Sequence, residues 1–357
     1  MKLNRCVWLL AATLAIGACG AENESSQSGA ARQAEQLSGN LAGAGASSQD
    51  AAMQAWIAGF GAEHPEVTLS YDPVGSGGGR EQFVAGGTAF GGTDSHLADE
   101  ELTGAQERCQ GADNLIEIPV YISPIAIIYN LEGVENLQLS PETLAKIFKQ
   151  EIKRWDDPAI AADNPGATLP GERITPVNRS DESGTTENFQ EYLAAVVPDV
   201  WDFEVSGDWP VKGGESAQGT SGVVDAVKAG KGTIGYADAS QAGDLGVAAI
   251  KVGEEYVGPT PEAAAKILES SLQTDDPGAR VFTYELARDT TESGTYPIVL
   301  VSYLMACTQY DTPEETALVK AFVGYVISPE GQQAAAQNAG SAPLSDALRA
   351  KLVDALQ

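Results

Sequence analysis

The chain has 357 residues and a formal charge of −29, from 50 acidic and 21 basic side chains with both histidines neutral. That balance excludes a nucleic-acid binder, whose affinity comes largely from basic groups placed on phosphates, and no local basic patch offsets it. Hydrophobic residues at 43%, with 39 Gly and 18 Pro, exclude a wholly disordered chain and suit two domains or one large barrel, its core divided among many elements.

At the N-terminus, Lys2 and Arg5 precede an apolar stretch over 7–17 that is too short to span a membrane. The run Ile16-Gly17-Ala18-Cys19 resembles a lipobox, so 1–18 is expected to be a lipoprotein signal peptide and Cys19 the lipidated residue, against the alternative of ordinary secretion with cleavage after Ala18. Cleavage removes two bases and leaves 50 acids against 19, a charge of −31. Cys6 leaves with the leader and Cys19 takes lipid, so Cys109 and Cys307 are the thiols free to pair in an oxidising exterior; two separate buried thiols are the alternative. A bond between them would close a loop of roughly 200 residues, a stabilisation of about 5 kcal/mol by chain entropy.

Residues 19–40 lack an apolar period and read as a flexible tether. From Leu41 the pattern is strand, the tight loop Gly43-Ala44-Gly45-Ala46-Ser47-Ser48, and a helix over 50–61 with Met53, Trp56, Ile57 and Phe60 at helical spacing. A strand follows over 67–71, then Gly75-Ser76-Gly77-Gly78-Gly79 opens a helix carrying Arg80 and Phe83, and short strands follow at 89–92 and 116–120. Ser140-Pro141 begins a helix to Lys149 by the N-cap and first-position rule, and 152–158 is a turn. A strand at 175–177 leads through Arg179, Asp181 and Ser183-Gly184-Thr185 into a helix with Phe189, Tyr192 and Leu193. Further helices are expected over 221–229 and 260–271, with a buried strand at 232–237 between them. The tail adds a strand at 298–304 and helices over 313–327, 329–337 and 344–356.

Ser47-Ser48, Ser76 and Ser183-Gly184-Thr185 share one chemistry, a hydroxyl beside glycine at a helix start. Such places expose backbone N–H donors at the positive end of the helix and fit a tetrahedral oxyanion; each alone is more often a simple cap, and it is three together, with Arg179 nearby, that point to an anion. Arg179 adds a bidentate fork, while Arg80 reads as structural or exposed. Asp94, in Gly91-Gly92-Thr93-Asp94-Ser95, is of the wrong sign for a fully ionised anion, but it can accept the proton of hydrogen phosphate and so select by repulsion. The alternative is an Asx cap.

In order along the chain, Gly43-Ala44-Gly45-Ala46-Ser47, Val74-Gly75-Ser76-Gly77-Gly78, Phe90-Gly91-Gly92-Thr93-Asp94 and Arg179-Ser180-Asp181-Glu182-Ser183-Gly184-Thr185 resemble the phosphate-binding lipoproteins of bacterial ABC importers, the PstS family of solute-binding proteins. The resemblance runs from Leu41 to the C-terminus, with weaker support from 147–158, 232–236 and 342–344. It implies an α/β, two-domain periplasmic-binding-protein fold with two crossovers between domains and the ligand cleft between them. Domain I is expected over 41–122 and 298–357, domain II over 123–297. The implied ligand set is Ser47, Ser48, Ser76, Asp94, Arg179, Ser183, Gly184 and Thr185, with Asp181 orienting the guanidinium. Three residues depart from the family, the first being Ser47, which keeps a hydroxyl in place of threonine. Ser48 replaces a phenylalanine that contributes a backbone N–H, so packing behind that loop must change, and Gln150 replaces a glycine. The implied protein is a monomer that takes inorganic phosphate without cofactor or metal and delivers it to the transmembrane permease subunits, held to the outer face of the cytoplasmic membrane by its lipid.

The nearest rival is another tetrahedral oxyanion, sulfate, arsenate or molybdate, against which Asp94 argues, arsenate least. A secreted phosphatase or serine hydrolase using Ser76 or Ser183 would need a base or metal beside it. His64 and His96 are the only histidines, with no Gly-x-Ser-x-Gly or His-Glu-x-x-His motif. A structural or adhesive surface lipoprotein that keeps the fold without the pocket does not explain the intact hydroxyl set.

Overall fold

The computed structural model describes residues 37–97, 99–275 and 280–357. The signal peptide, Cys19 and nearly all of the tether lie outside the described residues.

The chain alternates strand and helix as its turn chemistry dictates. β1 (Gly39–Gly45), β2 (Val67–Asp72) and β3 (Phe90–Thr93) alternate with α1 (Asp50–Glu63) and α2 (Ser76–Val84), and α3 (Asp99–Arg108) precedes the long β4 (Leu115–Asn130). After β5 (Gln138–Leu139) come α4 (Pro141–Phe148), α5 (Pro158–Asp163), β6 (Thr175–Arg179), α6 (Gly184–Val196), β7 (Glu215–Ala217), α7 (Gly219–Ala229) and β8 (Thr233–Asp238). Short strands β9 (Gly246–Val247), β10 (Ala249–Val252) and β11 (Glu255–Val257) lead to α8 (Pro261–Ser270), then to β12 (Leu272–Asp275), β13 (Arg280–Glu285) and β14 (Val299–Cys307). Helices α9 (Pro313–Val326), α10 (Pro329–Ala339) and α11 (Asp346–Ala355) close the chain. Four of these helices put Ser or Thr at the N-cap before Pro, with Ser140, Thr260, Thr312 and Ser328 each accepting a backbone N–H.

The main sheet runs β2-β1-β3-β14-β4-β8-β6-β7, and β4 is its spine. From Leu115 to Pro124 this strand pairs antiparallel with β14, and from Ile125 to Asn130 it pairs antiparallel with β8. One uninterrupted run of buried residues thus serves two sheet regions in succession, which explains why its apolar pattern is continuous and not alternating. The chain returns beside it, where Ile125 N–H donates to Ile298 O at 2.7 Å. The result is a two-domain α/β fold of the periplasmic-binding-protein kind with a curled sheet. The β12–β13 hairpin falls within 123–297 in sequence, yet β13 pairs with Ile116 and Glu117 in the first half of β4. A small second sheet, β11-β10-β5, flanks the far half.

Cys109, just past α3, and Cys307, the last residue of β14, are joined by a disulfide across 198 residues. It sits in an apolar cluster with Phe83, Leu97, Ala105, Leu115 and Met305.

Candidate functional site

The loop after β1 is fixed by close packing of backbone on backbone. Gly45 has φ 151, and a Cβ there would come within 2.0 Å of Gly92 O, so only glycine lets β1 pass β3 before turning into Ser47-Ser48. Gly75 (φ 100) performs the second turn and lies against Asp181 from the other half of the molecule. The third loop is set by Ser183, whose side chain accepts from Thr186 N–H and starts α6. Beneath it Tyr236 OH contacts Thr186 Oγ1 at 2.7 Å and accepts from Arg179 N–H at 3.3 Å, on a bed of Phe148, Phe189 and Trp209.

These loops meet. Ser47, Ser48, Ser76, Asp94, Arg179, Ser183, Gly184 and Thr185 are all buried, and the structure brings them to one place. Asp94 is the hub. Ser48 Oγ donates to its carboxylate, 2.7 Å from both oxygens, and Thr185 Oγ1 donates to Oδ2 at 2.9 Å. Its own N–H donates to Ser76 Oγ at 3.1 Å, and its carbonyl accepts from Asn188 Nδ2 at 2.8 Å. A Cβ on Gly184 would meet Asp94, Ser76 and Ser95 at 2.7 to 2.9 Å, so the first turn of α6 presses directly on the loops of the first half. The Asx cap weighed as the alternative is not the contact observed: the Asp94 carboxylate points at hydroxyls distant in sequence.

Arg179 Nε donates to Asp181 Oδ1 at 2.8 Å and Nη2 pairs with Oδ2. Asp181 also accepts from Gly219 N–H at 3.0 Å. Burial pushes the Asp181 carboxyl up, but the Arg179 hydrogen bonds and charge and the Gly219 amide outweigh it and hold it below the usual range. The guanidinium is thereby aimed, with Nη1 left without an acceptor among the described residues. Arg80 is buried and far from idle. It bonds Glu101, Thr93, Ser95 and, from the other half of the molecule, Glu182.

Several partners escaped the sequence reading. Thr220 N–H donates to Ser47 Oγ at 3.0 Å, and Gln241 Nε2 donates to Ser47 O at 3.0 Å. Gly219-Thr220 is a fourth glycine-hydroxyl helix start, so the signal that found the other three was present there too. Ser302 of β14 donates to Asp94 Oδ1, and Gln49 Nε2 donates to Ser302 Oγ at 2.7 Å. The sign of Ser302 in the sequence is a lone hydroxyl inside an apolar strand. His64 packs on Phe60 at the end of α1, and His96 is exposed. Among the described residues no cluster of three His, Cys, Asp or Glu side chains could hold a metal ion.

Chemically, the site is a buried convergence of hydroxyls, helix N-termini and one aimed guanidinium around one carboxylate. It fits a small tetrahedral anion that carries a proton.

The PBP superfamily domain matches residues 30–330. The phosphate-binding protein PstS 3 of Mycobacterium leprae is 34% identical over 99% of this chain and 98% of its own length. PstS 3 of Mycobacterium tuberculosis is 36% identical over 100% and 99%. Among solved structures, a high-affinity periplasmic phosphate-binding protein (PfluDING) bound with phosphate superposes with a TM-score of 0.71 at 24% identity, covering 88% of this chain and 93% of that one. A phosphate-binding protein from Stenotrophomonas maltophilia gives 0.69 at 20%, covering 89% and 94%. Both show the same fold.

Proposed function

The chain belongs to the PstS family of phosphate-binding proteins within the PBP superfamily, and from that premise we propose that it captures inorganic phosphate outside the cytoplasmic membrane and delivers it to the permease of an ABC importer. It is a solute-binding protein and not an enzyme. The observation that carries the reading is the buried Asp94 carboxylate ringed by hydroxyls from both halves of the molecule, Ser48 on one side and Thr185 on the other.

In this reading the Ser47, Ser48 and Ser76 loops and the α6 N-terminus give backbone and hydroxyl donors to the phosphate oxygens, and Arg179, held by Asp181, gives its free N–H groups. Asp94 accepts the proton that hydrogen phosphate carries. Sulfate has no proton to give there and meets like charge, so it is rejected; arsenate, with the same geometry and protonation, is rejected only weakly. The lobes are 41–122 with 298–357, and 123–297, the β12–β13 hairpin lying on the first. Contacts that cross between them, Ser47 with Thr220, Asp94 with Thr185 and Arg80 with Glu182, favour the closed arrangement, and the permease must favour an open one for release. Cys19 carries the lipid that keeps the protein at the membrane.

Titration calorimetry with phosphate, arsenate and sulfate tests this. One phosphate is expected per chain, with arsenate weaker and sulfate absent, and Arg179→Ala should weaken phosphate by about a hundredfold or more, the cost of a charge-assisted contact in a buried site. Sulfate binding comparable to phosphate would overturn the assignment.

A further inference from the structure

Ser302 stands apart from the other donors to Asp94. Ser48 and Thr185 lie on the loops that reach the ligand, whereas Ser302 lies within β14, fully buried, at the point where the β14–β4 register shifts between Ser302 and Tyr303. Such irregularities re-aim a side chain out of the regular pleat. Its proton is also directed. Gln49 Nε2 donates to Ser302 Oγ at 2.7 Å and to Tyr303 O at 2.9 Å, so the serine oxygen already accepts and its own hydrogen is free to give. Asp94 Oδ1 is the near acceptor, with Thr93 O more distant at 3.3 Å.

We propose that Ser302, oriented by Gln49, is a positioning residue that sets the anion selectivity of the site by keeping Asp94 an ionised acceptor. The inference rests on the phosphate-binding reading and deepens it. An ionised Asp94 only accepts, and so demands a ligand with a proton. A protonated Asp94 becomes a donor, and a fully ionised anion such as sulfate then finds a partner where it met repulsion. Burial pushes the Asp94 carboxyl above its ordinary value, while the hydrogen bonds of Ser302, Ser48 and Thr185 and the charge of Arg179 pull it back. The other groups facing this carboxylate do little to help. Tyr71 stays neutral, its hydroxyl held up by burial and by Asp94 itself. Glu187 and His96 line the small adjoining cavity, and Arg80 reaches the loop only through Thr93 and Ser95 while paired to two acids. Removing Ser302 therefore takes away a donor that no neighbour replaces.

Calorimetric titration of phosphate and sulfate from about pH 8 to about pH 5 on the whole exported chain provides the test, with Ser302→Ala, Gln49→Met and Asp94→Asn beside the unaltered protein and folding checked by circular dichroism. In the unaltered chain sulfate should stay undetected at every pH, so that the detection limit sets a floor under the phosphate-to-sulfate affinity ratio that does not move with pH. In Ser302→Ala the ratio should fall by about tenfold toward the acid end as sulfate binding appears, in Gln49→Met by less in the same direction, and in Asp94→Asn it should be low at every pH. A purely structural role would weaken both anions together at all pH values; that outcome, or a flat ratio in Ser302→Ala and Gln49→Met, overturns the proposal while leaving phosphate binding by the unaltered chain intact. If the unaltered chain itself fails to bind phosphate, the functional reading falls and this inference with it.

Discussion

Glu117 shows what burial does to an acid that forms no ion pair among the described residues. On β4 it is 0% exposed, Oε1 accepts the Leu97 N–H at 2.8 Å, and Oε2 has no hydrogen-bond partner among the described residues. Burial pushes its carboxyl up to about 8, with the Leu97 amide and the charge of Arg80 opposing and Glu101 adding to the rise. The folded state thus holds a proton that the unfolded chain releases near the ordinary value of 4.5. The contribution of this group to stability is therefore greatest below that value, falls as pH rises through the interval, and levels off above about 8, with a slope of up to about 1.4 kcal/mol per pH unit. Glu117→Gln removes the titration. Urea midpoints measured at intervals from about pH 5 to about pH 8.5 should decline less in the variant than in the unaltered protein, and equal declines would show that Glu117 keeps an ordinary carboxyl.

At the scale of elements, the end of α4 carries an unusual choice of residue. Gln150 sits at φ 60, its N–H donates to Ile147 O at 2.9 Å, and the next N–H, of Glu151, returns to Lys146 O at 2.9 Å. That paired ending requires the left-handed region, where a side chain costs about 1 kcal/mol and glycine costs little. Gln150→Gly should therefore stabilise by up to about 1 kcal/mol, reduced by loss of the Gln150 Nε2 bond to Lys212 O, and a thermal melt would read it as a rise of a few degrees at most. The same logic explains which elements the sequence disclosed. Helices opened by Ser-Pro or Thr-Pro declare their first residue chemically, and α4, α8, α9 and α10 begin where that pair stands. By contrast α3 has only Leu102 and Ala105 as apolar residues among its ten, too few to show a stripe, and β5, β7, β9 and β13 are short runs whose pairings with β10, β6 and β4 join segments distant in the chain. The site divides the same way. Its loop donors were legible because glycine and hydroxyl adjoin locally, whereas Ser302 meets Asp94 across 208 positions, a contact that only the pairing of β14 beside β3 creates.

For the whole molecule, the question is how a chain of charge −29 takes up a doubly negative ligand. The guanidiniums at the cleft do not reverse the field, since Arg179 is paired with Asp181 and Arg80 with Glu101 and Glu182. Asp94 adds a further negative charge at the centre. Attraction is therefore confined to hydrogen-bond distance, where hydroxyls and helix N-termini act, and beyond about 10 Å the approach is repulsive. Association and dissociation should then respond to salt differently. Raising ionic strength from about 0.01 M to about 0.5 M screens the acidic surface and should increase the association rate by about twofold to fivefold, while the dissociation rate, set by buried contacts, barely moves. Stopped-flow tryptophan fluorescence can follow both, since half-buried Trp209 lines the same surface cavity as Arg179. A steep fall of the association rate with salt would mean that the cleft mouth carries a positive field despite its paired arginines, and that the acidic excess lies on faces the anion never meets.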